Sequence, residues 1–184
     1  APVTVGGMAQ FTTLAVDDDI LLDQLAVTGM IGLSTTGSDA DATIVNATGI
    51  DFMTTDVGGD LDATATTGDI TDAAPVTVGG MAQFTADAGA INLDMLAVSG
   101  MIGLSSTGNA TIVNATGIDF KTTNVGGNLD ATATTGDITD DAPVTVEGMA
   151  QFTTLAADAD ILLDQLAESD MIGLSTNGPN GDAT

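Results

Sequence analysis

Apolar and polar residues alternate along most of this chain in short segments. Examples are Val3/Val5, Ala9/Phe11, Ile20/Leu22, Ile31/Leu33 and Ile50/Phe52. A period of two is typical of a β-strand with one buried face, because successive side chains of a strand point to opposite sides. The segment that comes closest to the spacing of an amphipathic helix, Leu21–Ala26, is too short to form one. The pattern therefore predicts an all-β protein.

The alternating segments belong to a long repeat. The stretch Gly58–Thr85 returns almost unchanged as Gly126–Thr153, and prolines mark equivalent positions at Pro2, Pro75 and Pro143, which are 73 and 68 residues apart. The long repeats span residues 1–73, 74–141 and, in truncated form, 142–184. Their lengths differ only in stretches rich in Asp, Gly and Ser, which is typical of surface loops between fixed strands. A fixed long period is the sequence signature of a solenoid.

Each long repeat is interpreted as three coils, and each coil as three short strands. The predicted coils cover residues 1–23, 24–46, 47–73, 74–94, 95–114, 115–141, 142–164 and 165–184. Stacking them predicts one continuous parallel β-helix (β-solenoid) over residues 1–184, with about eight coils of 20–27 residues. At ~4.8 Å between neighbouring strands, such a rod is roughly 35–40 Å long. Neither end has a polar capping segment, so we expect a fragment of a longer fibre.

Two short patterns carry a resemblance to a known family. The first is GGxLxATATTGDIT, at Gly58–Thr71 and Gly126–Thr139, and the second is VTVxGxAxF, at Val76–Phe84. They resemble the filamentous-haemagglutinin type of repeat of large bacterial surface adhesins secreted by the two-partner route, and of related giant surface proteins. The resemblance spans all predicted coils and implies a right-handed parallel β-helix, a cell-surface or extracellular location, and a role as a shaft or adhesive stalk. The strong bias toward Asp departs from that family's pattern.

The charge and the amino-acid composition of the chain exclude several classes of partner. The 184 residues carry a formal net charge of −25, from 24 Asp, two Glu and one basic residue, Lys121. Phosphate binding relies on Lys and Arg, so we expect no nucleic-acid partner, and an anionic membrane surface would repel the chain. No apolar run reaches the ~18–20 residues of a spanning helix, so membrane insertion is not expected. The absence of Cys excludes a disulfide framework.

The acidic residues form the main candidate binding site. Hard cations such as Ca²⁺ bind several carboxylate and carbonyl oxygens, which stacked coil corners could supply. The candidate calcium ligands are Asp17, Asp18, Asp19, Asp39, Asp41, Asp56 and Asp60. The favoured alternative is a solvated acidic surface that keeps the fibre soluble, because the calcium β-roll nonapeptide and the EF-hand spacing are both absent. We therefore expect no obligatory cofactor, with Ca²⁺ as the open possibility.

Some Asp residues recur at one predicted coil position. Asp23, Asp94 and Asp164 form one set, and Asp69 and Asp137 form another. Like charges directly above one another are destabilising in a sheet. A period of three coils would space the copies by roughly 14 Å and relieve most of this repulsion at physiological salt. We hypothesise that the long repeat exists partly for this reason.

Two Asn residues, Asn46 and Asn114, close equivalent predicted coils. We expect them to form an internal Asn stack whose amides are satisfied from coil to coil. The same residues and Asn109 also begin N-x-T sequons. Glycosylation is therefore the alternative, and it requires surface exposure and a suitable secretory pathway.

Thr-rich runs at Thr64–Thr67 and Thr132–Thr135 could place hydroxyl rows on one face, as in ice-binding β-helices. The simpler interpretation is that Thr suits exposed strand positions, since the motif occurs only once per three predicted coils. Catalysis is not expected. The chain has no His, Arg, Trp or Tyr, and its many similar carboxylates define no site with distinct acid and base roles.

These observations predict a structural segment of an extracellular bacterial fibre or adhesin stalk, with a receptor that the sequence does not identify. Unpaired strand edges at open coil ends predict end-to-end self-association or continuation into a longer chain. The two alternatives are a Ca²⁺-dependent surface-binding module that uses the Asp-rich corners, and an ice-binding β-helix.

Overall fold

The computed structural model describes residues 1–168 and 170–184, and all regular structure within them is β. The strands are β1 (Val3–Val5), β2 (Ala9–Val16), β3 (Ile20–Val27), β4 (Ile31–Thr36), β5 (Ala42–Asn46), β6 (Ile50–Phe52), β7 (Thr55–Val57), β8 (Leu61–Ala65), β9 (Ile70–Asp72), β10 (Val76–Val78), β11 (Ala82–Ala86), β12 (Ile91–Val98), β13 (Ile102–Ser106), β14 (Ala110–Asn114), β15 (Ile118–Phe120), β16 (Thr123–Val125), β17 (Leu129–Ala133), β18 (Ile138–Asp140), β19 (Val144–Val146), β20 (Ala150–Ala157), β21 (Ile161–Leu162), β22 (Leu166–Glu168) and β23 (Ile172–Asn177). The predicted all-β class is confirmed.

The strands form two sheets, between which the chain passes back and forth. Sheet I has 12 strands: β1, β3, β5, β8, β11, β13, β15, β16, β18, β19, β21 and β22. Sheet II has 11 strands: β2, β4, β6, β7, β9, β10, β12, β14, β17, β20 and β23. Neighbouring strands pair in parallel, and each pairs with a strand one coil further along the chain. The fold is therefore a parallel β-solenoid, as predicted.

The pairing register defines the coils. Starting at Val3, eight successive pairings lead through Leu25, Asn46, Ala65, Ala86, Ser106, Val125 and Val146 to Glu168. From Ala42 to its partner Leu61, the chain passes through three strands, β5, β6 and β7. The predicted number of about eight coils is confirmed. Paired residues are 18 to 23 positions apart, with Ile102–Phe120 and Ile138–Ile161 at the extremes, so the 27-residue coils predicted at 47–73 and 115–141 do not form.

The long repeat spans three and a half coils, and the prediction of three coils per repeat is wrong. Three pairings lead from Val3 to Ala65 and a fourth reaches Ala86, so Val76, the repeat equivalent of Val3, lies between them. The segment VTV accordingly lies in sheet I as β1, in sheet II as β10 and in sheet I again as β19. Every repeated strand changes sheet in this way. A sequence period gives the number of residues per repeat, but not the angle through which the chain has turned.

The core lies between the two sheets, where the inward members of each alternation pack against one another. Phe52 of sheet II and Phe84 of sheet I meet edge to face, with ring centroids 6.2 Å apart at 76°. Phe120 and Phe152 repeat the contact at 6.0 Å and 78°, with the sheets exchanged. Such pairs contribute about 0.5–1.5 kcal/mol beyond the burial of their area. The two sheets are thus joined by the same aromatic contact once per long repeat.

Apolar surface is concentrated at the two ends of the coil stack. Val3 is 47% exposed in the first coil, whereas its equivalents Val76 and Val144 are fully buried. Leu174 is 40% exposed in the last coil, whereas its equivalent Leu104 is fully buried. The sides of the rod are instead mainly polar, since inward residues alternate with outward Thr, Asp, Asn and Gln along most strands.

Candidate functional sites at the coil corners

The chain turns from sheet II into sheet I at an acidic corner, formed in successive coils by Asp19, Asp41 and Asp60. The Oδ1 atom of each carboxylate accepts a hydrogen bond from a backbone N–H group of the next coil. The donors are Asp41 N at 2.9 Å, Asp60 N at 2.8 Å and Met81 N at 2.7 Å. These carboxylates therefore connect neighbouring coils where the strand ladder is interrupted. We call this column the Asp corner.

The second long repeat places amides at the same positions. Asn109 and Asn128, the equivalents of Asp41 and Asp60, accept bonds at 2.9 Å from Asn128 N and Met149 N. We call this pair the Asn corner, and it leads into sheet II. Since an uncharged oxygen makes the same contact, the corner needs an acceptor and does not need a charge.

A glycine lies beside each acceptor. A Cβ atom added to Gly80 would collide with Oδ1 of Asp60, and one added to Gly148 would collide with Oδ1 of Asn128. Gly59 and Gly127 stand in the same relation to Asp41 and Asn109. In these four pairs the second glycine is thus required by the close approach of the side chain from the coil below.

The seven candidate calcium ligands lie in several coils. Asp19, Asp41 and Asp60 form the Asp corner, and Asp17 lies one coil below Asp39, whose N–H group approaches the Asp17 carboxylate at 3.4 Å. Asp18 is exposed, and Asp56 points outward on β7 between its partners Ser34 and Thr77. Among the described residues, no three acidic side chains are arranged to hold one metal ion. Calcium binding at these residues stays a prediction.

The recurring Asp sets do not form single columns, so the predicted three-coil spacing is wrong. Asp23 lies in β3 of sheet I, whereas Asp94 lies in β12 of sheet II. The half-coil in each long repeat moves successive copies to opposite sheets, which separates their charges across the core as well as along the rod.

Two further carboxylates, Asp72 and Asp140, were not among the predicted ligands. Each accepts two backbone hydrogen bonds, one on each oxygen. Asp72 accepts from Asp94 N with Oδ1 at 3.1 Å and from Met95 N with Oδ2 at 2.9 Å. Asp140 accepts from Asp164 N at 3.0 Å and Gln165 N at 2.9 Å in the same way. Desolvation by burial, together with the nearby Asp94 charge, raises the pKa of Asp72 and outweighs its backbone hydrogen bonds, which act in the opposite direction.

The Asn46 and Asn114 side chains are fully buried, but they do not stack on one another as predicted. Asn46 accepts from Val27 N at 2.9 Å and donates to Val27 O at 2.9 Å and Gly49 O at 2.7 Å. Asn114 makes the equivalent contacts with Val98 and Gly117, in the opposite sheet. Their sequon amides are therefore enclosed and fully used, whereas the third sequon residue, Asn109, is exposed at the Asn corner.

The Thr-rich runs form short outward rows. Thr64 pairs with Val45 on one side and Thr85 on the other, and Thr132 pairs with Val113 and Thr153 in the opposite sheet. Each row of Thr hydroxyls thus extends over two neighbouring coils before another residue type interrupts it. Ice binding stays a prediction.

Two equivalent grooves lie on opposite faces of the rod. One, of about 350 Å³, is lined by Thr28, Thr48, Gly49, Ile50, Asp51, Asp69 and Thr71. The other, of about 280 Å³, is lined by Ser99, Gly100, Thr116, Gly117, Ile118, Asp119, Asp137 and Thr139. In each, a Thr hydroxyl bonds an Asp carboxylate at 3.2 Å, Thr71 to Asp51 and Thr139 to Asp119. A feature of one long repeat therefore reappears on the other side in the next.

The stacked parallel coils and their side-chain corners define a β-solenoid repeat protein. No helix in the described part of the chain is long and apolar enough to cross a membrane. The sequence model of the family described as repeats of unknown function (DUF5649) matches residues 39–97 and 107–169, and the chain belongs to this family. No curated protein and no solved structure matches the chain.

Proposed function

We propose that this chain is a structural segment of an extracellular bacterial fibre or adhesin stalk. The observation that carries the proposal is the unbroken series of eight coil-to-coil pairings from Val3 to Glu168. Each coil adds a fixed rise, so the length of such a rod follows from the number of repeats. The resemblance to filamentous-haemagglutinin repeats supports the location and the role as a stalk.

The surface chemistry fits this role. A net charge of −25 keeps rods apart and soluble, and the sides between the two ends expose few large apolar residues. At the ends, unpaired parallel edges and exposed residues such as Val3 and Leu174 are suited to receive another coil. That coil belongs either to the same chain, continued, or to a second copy stacked end to end.

Two measurements test the proposal. Electron microscopy of the purified chain is expected to show rods roughly 35–40 Å long, or filaments whose length is a multiple of that value. Antibodies against the chain are expected to label intact cells of the source organism, and external protease is expected to remove the label. Compact particles in the microscope would contradict the rod, and labelling only after permeabilisation would contradict the extracellular location.

A further inference from the structure

Neighbouring coils differ in the number of residues at their bends. In sheet II, Thr71 and Val76 pair with Asn92 and Leu96, so four residues of one coil lie against three of the next. In sheet I, Thr139 and Val144 pair with Leu162 and Leu166, with the same four against three. Backbone donors and acceptors cannot pair one to one across such a step.

A carboxylate fills each of these gaps. Asp72 begins the four-residue bend and accepts both unpaired N–H groups of the shorter bend above it, from Asp94 and Met95. Asp140 does the same for Asp164 and Gln165. Two donors point at one side chain, so both of its polar atoms must be acceptors.

An amide acts just past the next step, where β14 ends at Asn114 while β12 continues to Val98. Leu93 and Leu96 pair with Ile112 and Asn114, so two intervening residues lie against one. The Asn114 side chain accepts from Val98 N at 2.9 Å and donates to Val98 O at 3.1 Å, as the backbone of a paired strand would. Asn46 makes the same substitution just past the step between β3 and β5, using Val27.

We propose that these four side chains are positioning residues that replace missing backbone groups, and so fix where the solenoid changes the width of its coils. The chemical type is dictated at each step. A carboxylate is needed where two N–H groups must be accepted, and an amide where one N–H and one C=O of the same residue must be matched. The Asp corner and the Asn corner differ from these steps, because a single acceptor suffices at a corner.

Isosteric exchanges test the proposal, since Asp and Asn have nearly the same shape. At the steps the exchanges are Asp72→Asn and Asn114→Asp, and the matched controls at the corners are Asp41→Asn and Asn109→Asp. We expect each step exchange to lower the Tm by about 5 °C or more, because it sets donor against donor or acceptor against acceptor. Each corner exchange should change the Tm by less than about 2 °C. Equal shifts at steps and corners would overturn the proposal.

Hydrogen exchange gives a local readout. In Asp72→Asn the amides of Asp94 and Met95 should lose protection at least tenfold more than that of Met81, which the corner residue Asp60 binds. If a step variant fails to fold while both corner variants fold, the contrast supports the proposal. If a corner variant also fails to fold, the distinction between steps and corners is wrong.

A double-mutant cycle tests whether Asp72 compensates for the difference in length between the two neighbouring bends. Deletion of Ala74 shortens the lower bend to match the three residues above it. In that background Asp72→Asn should lower the Tm by clearly less than it does in the native chain. An undiminished loss would show that Asp72 stabilises the bend for another reason, and would overturn its assignment as a residue that sets coil width.

Discussion

The first and second long repeats build the same corner with different chemistry. Asp41 and Asp60 are carboxylates, Asn109 and Asn128 are amides, and their acceptor oxygens lie 2.8, 2.7, 2.9 and 2.9 Å from the N–H groups that they bind. The repeats also differ in total charge, with 12 Asp in residues 1–73 against seven Asp and Lys121 in residues 74–141. The comparison separates two roles of the acidic residues. The hydrogen bond between coils depends on the position of an acceptor oxygen, which an amide also provides, whereas the negative charge acts on the rod as a whole.

The largest expected effect comes from filling the space that a glycine leaves beside the acceptor oxygen at each corner. Gly80→Ala and Gly148→Ala should each lower the free energy of unfolding by about 1–3 kcal/mol, because the new methyl group displaces the acceptor oxygen from the coil below. Urea unfolding followed by circular dichroism measures the cost. Similar losses are expected at the two sites, and a loss at only one would show that the corners are not equivalent.

Acidification should stabilise the rod. The pKa of Asp72 is raised mainly by burial, so the folded chain takes up a proton at a higher pH than the unfolded chain does. Unlike the NH2 group of an amide, the hydroxyl oxygen of a neutral carboxyl keeps an acceptor lone pair, so both N–H partners retain an acceptor after protonation. The stability contributed by this group therefore rises as the pH falls toward and through the raised pKa, and it is lost as the pH rises again.

The measurement for this prediction is the urea midpoint at pH 7, 5 and 4. The midpoint should increase down the series. A chain that is less stable at pH 5 than at pH 7 would contradict the expected sign, and Asp72→Ala serves as the control that removes this one titration.

Salt should act more strongly on the acid-rich repeat. Raising NaCl from 0.02 to about 0.5 M screens like charges and should increase the stability of the native chain. The double variant Asp41→Asn and Asp60→Asn should show a smaller increase, by a few tenths of a kcal/mol, and Asn109→Asp with Asn128→Asp a larger one. Identical salt responses in all three chains would mean that corner charge does not affect stability.

The smallest expected effect is that of calcium. If the acidic residues form only a solvated surface, the Tm in EDTA and in millimolar Ca²⁺ should agree within about 1 °C, which is near the precision of a melt. A chain that folds only with Ca²⁺ would instead make the Asp-rich corners binding sites. A Ca²⁺ effect lost in Asp41→Asn with Asp60→Asn would locate it at the Asp corner.

The sequence predicted those features that depend on local alternation. The inward positions of Ile50, Phe52 and Phe84 follow from the period of two, and parallel coils follow from the long repeat. The half-coil could not be predicted, because equivalent residues such as Val3 and Val76 look the same whichever sheet they occupy. The sheet is decided by how many residues each intervening bend consumes.

The side-chain contacts were harder to predict for a related reason. Asp72 resembles any other acidic loop residue until the coil above it is known to be one residue shorter. Asn46 was correctly predicted to be internal, but the predicted stack with Asn114 was wrong. Such a stack requires an integral number of coils per long repeat. Both cases show that the role of a polar residue depends on its neighbour along the rod axis, about 20 residues away.

The three-and-a-half-coil repeat also constrains how such a gene can change by recombination. Inserting or deleting one long repeat would rotate all downstream coils by half a turn, so that every inherited surface, including grooves such as that at Asp51, would change sides. Inserting or deleting two would leave orientation unchanged and alter only length, by roughly 34 Å. Where one side of the rod faces a fixed partner, repeat numbers among related genes should therefore differ by even steps.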